Sequence, residues 1–278
     1  MDIDFPFVLT WVVLGSGAIW AFDALLLRPR RMAAASALEG SASDAAVEAA
    51  AAEPVVVEWA RSFFPVLLLV LRSFVAEPYQ IPTPSMVPTL DVGDFVLVNK
   101  WAYGLRLPVL GTKVVPIGEP QRGDIMVFVP PHSPKYFIKR VIGVPGDRIR
   151  YENKGLWING ERIPQEFVKE FRLDLGQRGI VAAREYRQTI NEIDHSVHLL
   201  RGLPPKRARE WVLEEGEYFM MGDNRDRSDD SRSWGPANEA NIVGKAVAVW
   251  MHKEPGWHLP TFSQNRWLNG DQEAQAQE

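Results

Sequence analysis

From Phe5 to Phe22 no side chain is charged, and with Leu25 to Leu27 the run amounts to about 20 residues broken only by Asp23, enough for a helix to cross a hydrocarbon core. Asp2 and Asp4 precede the run, and Arg28, Arg30 and Arg31 follow it. A cleavable signal peptide has the opposite layout, with positive charge first and a small-residue site last, so residues 1–27 are expected to stay attached as a transmembrane helix. Those arginines form the densest basic cluster near either end, which places them in the cytoplasm and the N-terminus outside. A second apolar run, Phe63 to Leu71, lies between Arg61 and Arg72 and is too short alone to span. It is either an interfacial helix or, extended to about residues 59–77 with its arginines snorkelling outward, a second transmembrane helix. With one span everything after Arg28 stays cytoplasmic; with two, everything after about Ala76 lies outside. Between the runs, Met32 to Glu53 is mostly Ala, Ser, Glu and Asp with no apolar stripe, so residues 28–58 read as a solvated cytoplasmic linker.

Beyond Glu77 the pattern changes to short β-type runs bounded by Gly, Pro and Asp. Asp94 to Val98, Gly123 to Val129, Tyr136 to Val144, Glu217 to Met221 and Ile242 to Met251 all read as strands. Asn159-Gly160 between two apolar triplets is a two-residue hairpin signal. The fold class is therefore a mainly β soluble domain, of antiparallel sheets, anchored by one or two N-terminal transmembrane helices. Residues 78–151 and 216–255 form the β domain, 152–215 an insertion richer in charge and poorer in strand signal, and 256–278 a C-terminal tail.

Composition narrows the chemistry. The 31 basic residues are scattered and outnumbered by 35 acidic ones, which leaves no footprint for nucleic acid. The absence of cysteine excludes disulfides, a thiol nucleophile and cysteine-based zinc sites. The five histidines, His132, His195, His198, His252 and His258, have no metal-ligand spacing, and no G-x-S-x-G elbow, H-E-x-x-H helix or P-loop occurs. The polar run Gly222 to Gly235 fails as a calcium loop because Arg225 and Arg227 fall on ligand positions in one register and Ser231 on the required glycine in another. Neither a metal nor a cofactor is expected.

Two positions stand out as reactive candidates. Ser85 follows Pro82 and Pro84 and precedes Pro88, in a stretch whose backbone angles are restricted. Taken alone it reads more readily as a turn serine beside a buried methionine. Lys139 lies in the run Phe137 to Gly143, where an extended strand puts Phe137, Lys139 and Val141 on one face and Ile138, Arg140 and Ile142 on the other. Of the two cations only lysine can lose its proton and serve as a base for serine. Lowering its pKa from about 10.4 to about 8 requires destabilising the charged form by roughly 3 kcal/mol, within the reach of burial. A single lysine more often sits on an edge strand with its head in solvent.

Together these segments resemble bacterial type I signal peptidases, or leader peptidases, a serine–lysine protease family. Pro78-Tyr79-Gln80-Ile81-Pro82-Thr83-Pro84-Ser85-Met86-Val87-Pro88-Thr89-Leu90 is similar to the family's nucleophile box, and Gly123-Asp124-Ile125-Met126-Val127-Phe128 to the next. Lys139 to Asp147 is similar to the lysine box and Gly222 to Gly235 to the last, in the family's order. The resemblance implies that Ser85 is the nucleophile and Lys139 the general base. It further implies that Thr83 completes an oxyanion hole with the Ser85 N–H, that Ser228 orients the lysine, and that Asp230 and Arg232 form a supporting ion pair. Tyr79, Ile81, Val96 and Ile138 would line an outer small-residue pocket, and Met86, Leu90 and Phe137 an inner one. The implied partners are signal-peptide-bearing precursors cut after a small-x-small motif, commonly Ala-x-Ala, and the lipid bilayer. The family's two-span topology would put the β domain on the outer side of the bacterial cytoplasmic membrane, while residues 152–215 match none of its motifs. Two other readings stay open: a serine–lysine protease dedicated to one substrate class, and a membrane-anchored β module that binds exported chains without cutting them.

Overall fold

A computed structural model describes residues 15–38, 42–61, 76–106, 113–176, 179–204, 207–254 and 256–268. The chain divides into two compact units, Met1–Val75 and Ala76–Glu278.

In the first unit residues 15–38 are helical, with a π-helical turn over Asp23–Leu27. Asp23 interrupts the apolar run by charge, and it is buried in an ion pair with Arg31. Helices at Arg28–Leu38 and Asp44–Ala51 occupy the alanine-rich stretch whose composition reads as a solvated linker, and a third, Val55–Arg61, crosses its expected end at residue 58. Alanine loses no side-chain entropy in a helix, and that local preference outweighs the lack of an apolar stripe. The helices bury little, Ala35 in the first and Val57 in the last. Among the described residues no helix is long and apolar enough to cross a membrane. The first part of the run from Phe5 and all of the run from Phe63 to Leu71 lie outside the described residues.

The second unit is built of antiparallel strands. In chain order these are β1 (Ala76–Gln80), β2 (Asp94–Asn99), β3 (Leu105–Arg106), β4 (Lys113–Val115), β5 (Ile125–Phe128) and β6 (Phe137–Gly143). The inserted region contributes β7 (Arg148–Glu152), β8 (Gly155–Ile158), β9 (Glu161–Arg162), β10 (Glu166–Asp174), β11 (Ile180–Ile190), β12 (Ile193–Leu200) and β13 (Arg209–Val212). The chain then returns through β14 (Glu217–Met221), β15 (Ala237–Asn238), β16 (Ile242–His252) and β17 (Arg266–Trp267). The main sheet runs β1-β2-β16-β5-β6-β14-β15, with β17 beside β16. Alternation decides its faces: on β2, Asp94, Val96 and Val98 are buried while Phe95, Leu97 and Asn99 are half-buried. Central β5 is buried at every position, as its unbroken apolar sequence demands.

The insertion carries far more strand than its charge suggests. β10, β11 and β12 form one small sheet and β13, β7, β8 and β9 another. β10 is almost wholly exposed, so its charged residues cost nothing in solvent. The expected hairpin at Asn159-Gly160 is present, with φ of 52° and 86°. The turns at Asn153-Lys154 and Asn191-Glu192 also hold two positive-φ residues but contain no glycine, so their hairpins left no signature in the sequence. Ile142 of β6, Phe219 and Met221 of β14, Ile149 of β7, Leu156 of β8 and Ile190 of β11 pack in one cluster, giving the inserted sheets a common core with the main sheet.

Candidate active site

Thr83, extended at φ −133° and ψ 151°, leads into a single 3-10 turn over Pro84–Met86 with proline at its start. The fixed proline φ suits that position and needs no N–H donor there. Leu90 N donates to Met86 O at 3.0 Å, closing the following turn, and Ser85 and Met86 are buried beneath it. Lys139 lies on β6 opposite Met126 of β5. The strand's alternation sends neighbouring cations to different partners. Lys139 Nζ donates to Ser85 Oγ at 2.8 Å and to Ile138 O at 2.8 Å, whereas Arg140 pairs with Asp223 at 2.7 Å.

Lys139 is 3% exposed, with its ammonium position 5.3 Å from the Phe137 ring centre. Burial lowers its pKa to about 8, against the opposing pull of Asp230, Asp229 and Asp223. An appreciable fraction is therefore neutral near physiological pH. Thr83 Oγ1 lies 3.3 Å from Ser85 Oγ. The Ser85 hydroxyl meets Lys139 and Thr83 and no histidine among the described hydrogen bonds. Burial and then Arg140 push the pKa of His195 down to about 3, so that imidazole is neutral throughout the physiological range.

The segment Gly222 to Gly235 packs directly on this pair. Asn224 N donates to Ser85 O at 3.1 Å and Asn224 Nδ2 to Pro84 O at 3.0 Å. Asp223 is wholly buried; burial would raise its pKa, yet Arg140 outweighs that and holds the carboxyl below the usual carboxylate range. Asp230 and Arg232 form a buried pair at 2.7 Å, and Asp230 also accepts from Gly222 N at 3.1 Å. The Ser228 hydroxyl lies close enough to Asp230 to favour its charged form, but no hydrogen bond of good geometry reaches it and none joins it to Lys139. A Cβ on Gly222 would collide with Ser85 O and the Ser228 side chain, so only glycine lets the two segments approach.

The residues expected to line substrate pockets separate into two groups. Ile81, Met86, Leu90 and Val96 are buried in one cluster, with Tyr79 and Ile138 packed against it. Phe137 belongs to a different cluster, with Phe128, Val141 and Trp234, and approaches the site through Lys139. Sequence reasoning gave no role to Asn224, Gly222 or Thr89, whose hydroxyl bonds Asp223. Their position inside the polar run and the proline-rich box was the available signal. Among the described residues no group of His, Cys, Asp and Glu is placed to hold a metal ion.

The family model described as signal peptidase, peptidase S26, matches residues 56–251. A signal peptidase I of Pseudomonas aeruginosa is 47% identical over 95% of this chain and 98% of its own length. A signal peptidase I of Haemophilus influenzae is 33% identical over 90% of this chain and 86% of its own. Among solved structures, a signal peptidase I of Enterococcus faecalis matches 46% of this chain and 97% of its own at 32% identity and a TM-score of 0.28.

Proposed function

The chain belongs to the signal peptidase, peptidase S26 family, and from that membership and the buried 2.8 Å hydrogen bond between Ser85 and Lys139 we propose an endopeptidase with Ser85 as nucleophile and Lys139 as general base. Its reaction is the removal of N-terminal signal peptides from exported precursors, and its mechanism is the family's serine–lysine one. With the Lys139 amine neutral, the contact reverses its polarity and the Ser85 hydroxyl donates into the nitrogen lone pair. Ser85 Oγ attacks the scissile carbonyl as that proton passes to Lys139, and the resulting ammonium protonates the leaving amine. Water then attacks the acyl-enzyme with Lys139 again as base. The Thr83 hydroxyl and the Ser85 N–H stabilise the oxyanion, since donors fixed in a dry site act on charge as it develops.

Cleavage follows a small-x-small motif, because the subsites that would take the two small residues are bounded by packed apolar side chains that leave no room for larger ones. Tyr79, Ile81, Val96 and Ile138 bound the outer one, and Met86, Leu90 and Phe137 the inner one. The substrate lies extended along the strand edges near Pro82 and Lys139, bound through its backbone without sequence demands. Ser228 orients the Lys139 amine and the Asp230–Arg232 pair supports it, the roles that family membership implies. The β unit works on the outer face of the cytoplasmic membrane, where precursors emerge, with the runs in residues 1–27 and 59–77 as its anchor. Purified protein given a precursor with an Ala-x-Ala site is the direct test. Wild type cuts after the second alanine, and Ser85→Ala and Lys139→Ala each abolish cutting; substantial turnover by either variant sinks the assignment.

A further inference from the structure

Arg225 is wholly buried in the segment that follows β14. Burial lowers its pKa to about 10, so it remains a cation at neutral pH. Its Nη2 donates to the side-chain oxygen of Gln188 on β11 at 2.6 Å, and its Nε and Nη1 have no hydrogen-bond partner. Among the described residues that amide oxygen is the only acceptor this guanidinium has. A buried cation with a single acceptor is sensitive to its loss, because nothing else replaces the water it gave up.

The same inserted strands grip the segment at further points. His198 N donates to Asp223 O at 3.0 Å and Leu200 N to Asp226 Oδ2 at 2.8 Å, while Lys154 Nζ pairs with Asp226 at 2.9 Å. On its other side the segment holds the reactive pair: Asn224 binds the carbonyls of Pro84 and Ser85, and Asp223 binds Arg140, the neighbour of Lys139. Residues 223–226 are thus clamped between the insertion and the site. We infer that Gln188 is a positioning residue for peptide cleavage, anchoring Arg225 so that Asn224 and Asp223 keep Ser85 and Lys139 in register. The insertion then acts as a buttress of the site, a role that rests on the peptidase reading above.

Full-length wild type, Gln188→Met and Gln188→Glu are compared on one Ala-x-Ala precursor in detergent, with kcat and KM measured separately and folding followed by thermal melting. Gln188→Met keeps the side-chain length and removes the acceptor, whereas Gln188→Glu keeps it. A shift of the reacting groups weakens the chemical step more than binding, so Gln188→Met should lower kcat about tenfold or more with KM within about twofold. Gln188→Glu should stay within about threefold of wild type. Unchanged kcat in a folded Gln188→Met, or equal losses in both variants, overturns the inference. If Gln188→Met does not fold, Gln188→Asn keeps the amide but draws its oxygen back from Arg225, and a fall in its kcat at constant KM supports the inference while an unchanged kcat overturns it. Failure of wild type to cut refutes the peptidase reading instead, so the two failures are told apart.

Discussion

At Lys139, burial lowers the proton affinity of the amine to about 8, so the fraction able to accept the Ser85 proton rises as pH climbs through that value. The pH profile of kcat/KM for precursor cleavage should therefore rise to a limb near pH 8, and a limb near 6 would contradict the lysine assignment. The same burial weakens the fold. An unfolded lysine keeps a pKa of about 10.4, so between about pH 8 and 10.4 the unfolded chain binds the extra proton and stability increases with pH. Below about pH 8 both states are protonated and the full cost of the buried ammonium, about 3 kcal/mol, is present. Lys139→Met should then be more stable than wild type at pH 6 by up to that amount, with the gain shrinking toward pH 10, as chemical denaturation would show. An inactive but stabilised variant would mark a site where stability is given up for reactivity.

Among the elements, the turn before Ser85 and the segment from Gly222 depend on each other. Gly222→Ala introduces a Cβ against Ser85 O and Ser228, and the carbonyl must move with the nucleophile attached. Cleavage should fall about a hundredfold or more, measured as kcat on the Ala-x-Ala precursor, with the β fold intact by circular dichroism. The Asn159-Gly160 hairpin offers a contrast, since Gly160 has φ of 86° and open space around it. Gly160→Ala should cost about 1 kcal/mol in thermal stability and leave kcat unaltered. That hairpin was legible in the sequence because asparagine and glycine supply positive φ cheaply. The turns at Asn153-Lys154 and Asn191-Glu192 were not, since the pairing of Glu152 with Gly155 and of Ile190 with Ile193 holds Lys154 and Glu192 in a conformation their side chains disfavour. The helices at Arg28–Leu38 and Asp44–Ala51 were missed for the opposite reason, because local alanine propensity overrode a pattern with nothing to bury.

For the whole molecule, the proposed two-span anchor makes one topological prediction. In sealed inside-out membrane vesicles the Ala76–Glu278 unit should resist added protease until detergent opens the vesicle, whereas digestion of the intact vesicle would place it on the cytoplasmic face. The sequence by itself determined the mainly β character of residues beyond 76, the strands carrying Lys139 and the main sheet, and that of the two cations on that strand only lysine can give up its proton. These follow from residue type and from the strand's period of two, which are local properties. Tertiary structure decided the rest. It brought Ser85 and Lys139, 54 positions apart in the chain, to 2.8 Å, buried the lysine enough to lower its pKa, and set the loop of Asn224 and Arg225 between Pro84 on one side and Gln188 on the other. The physical reason is that proximity and desolvation belong to the packed chain as a whole, and no local pattern in the sequence encodes either of them.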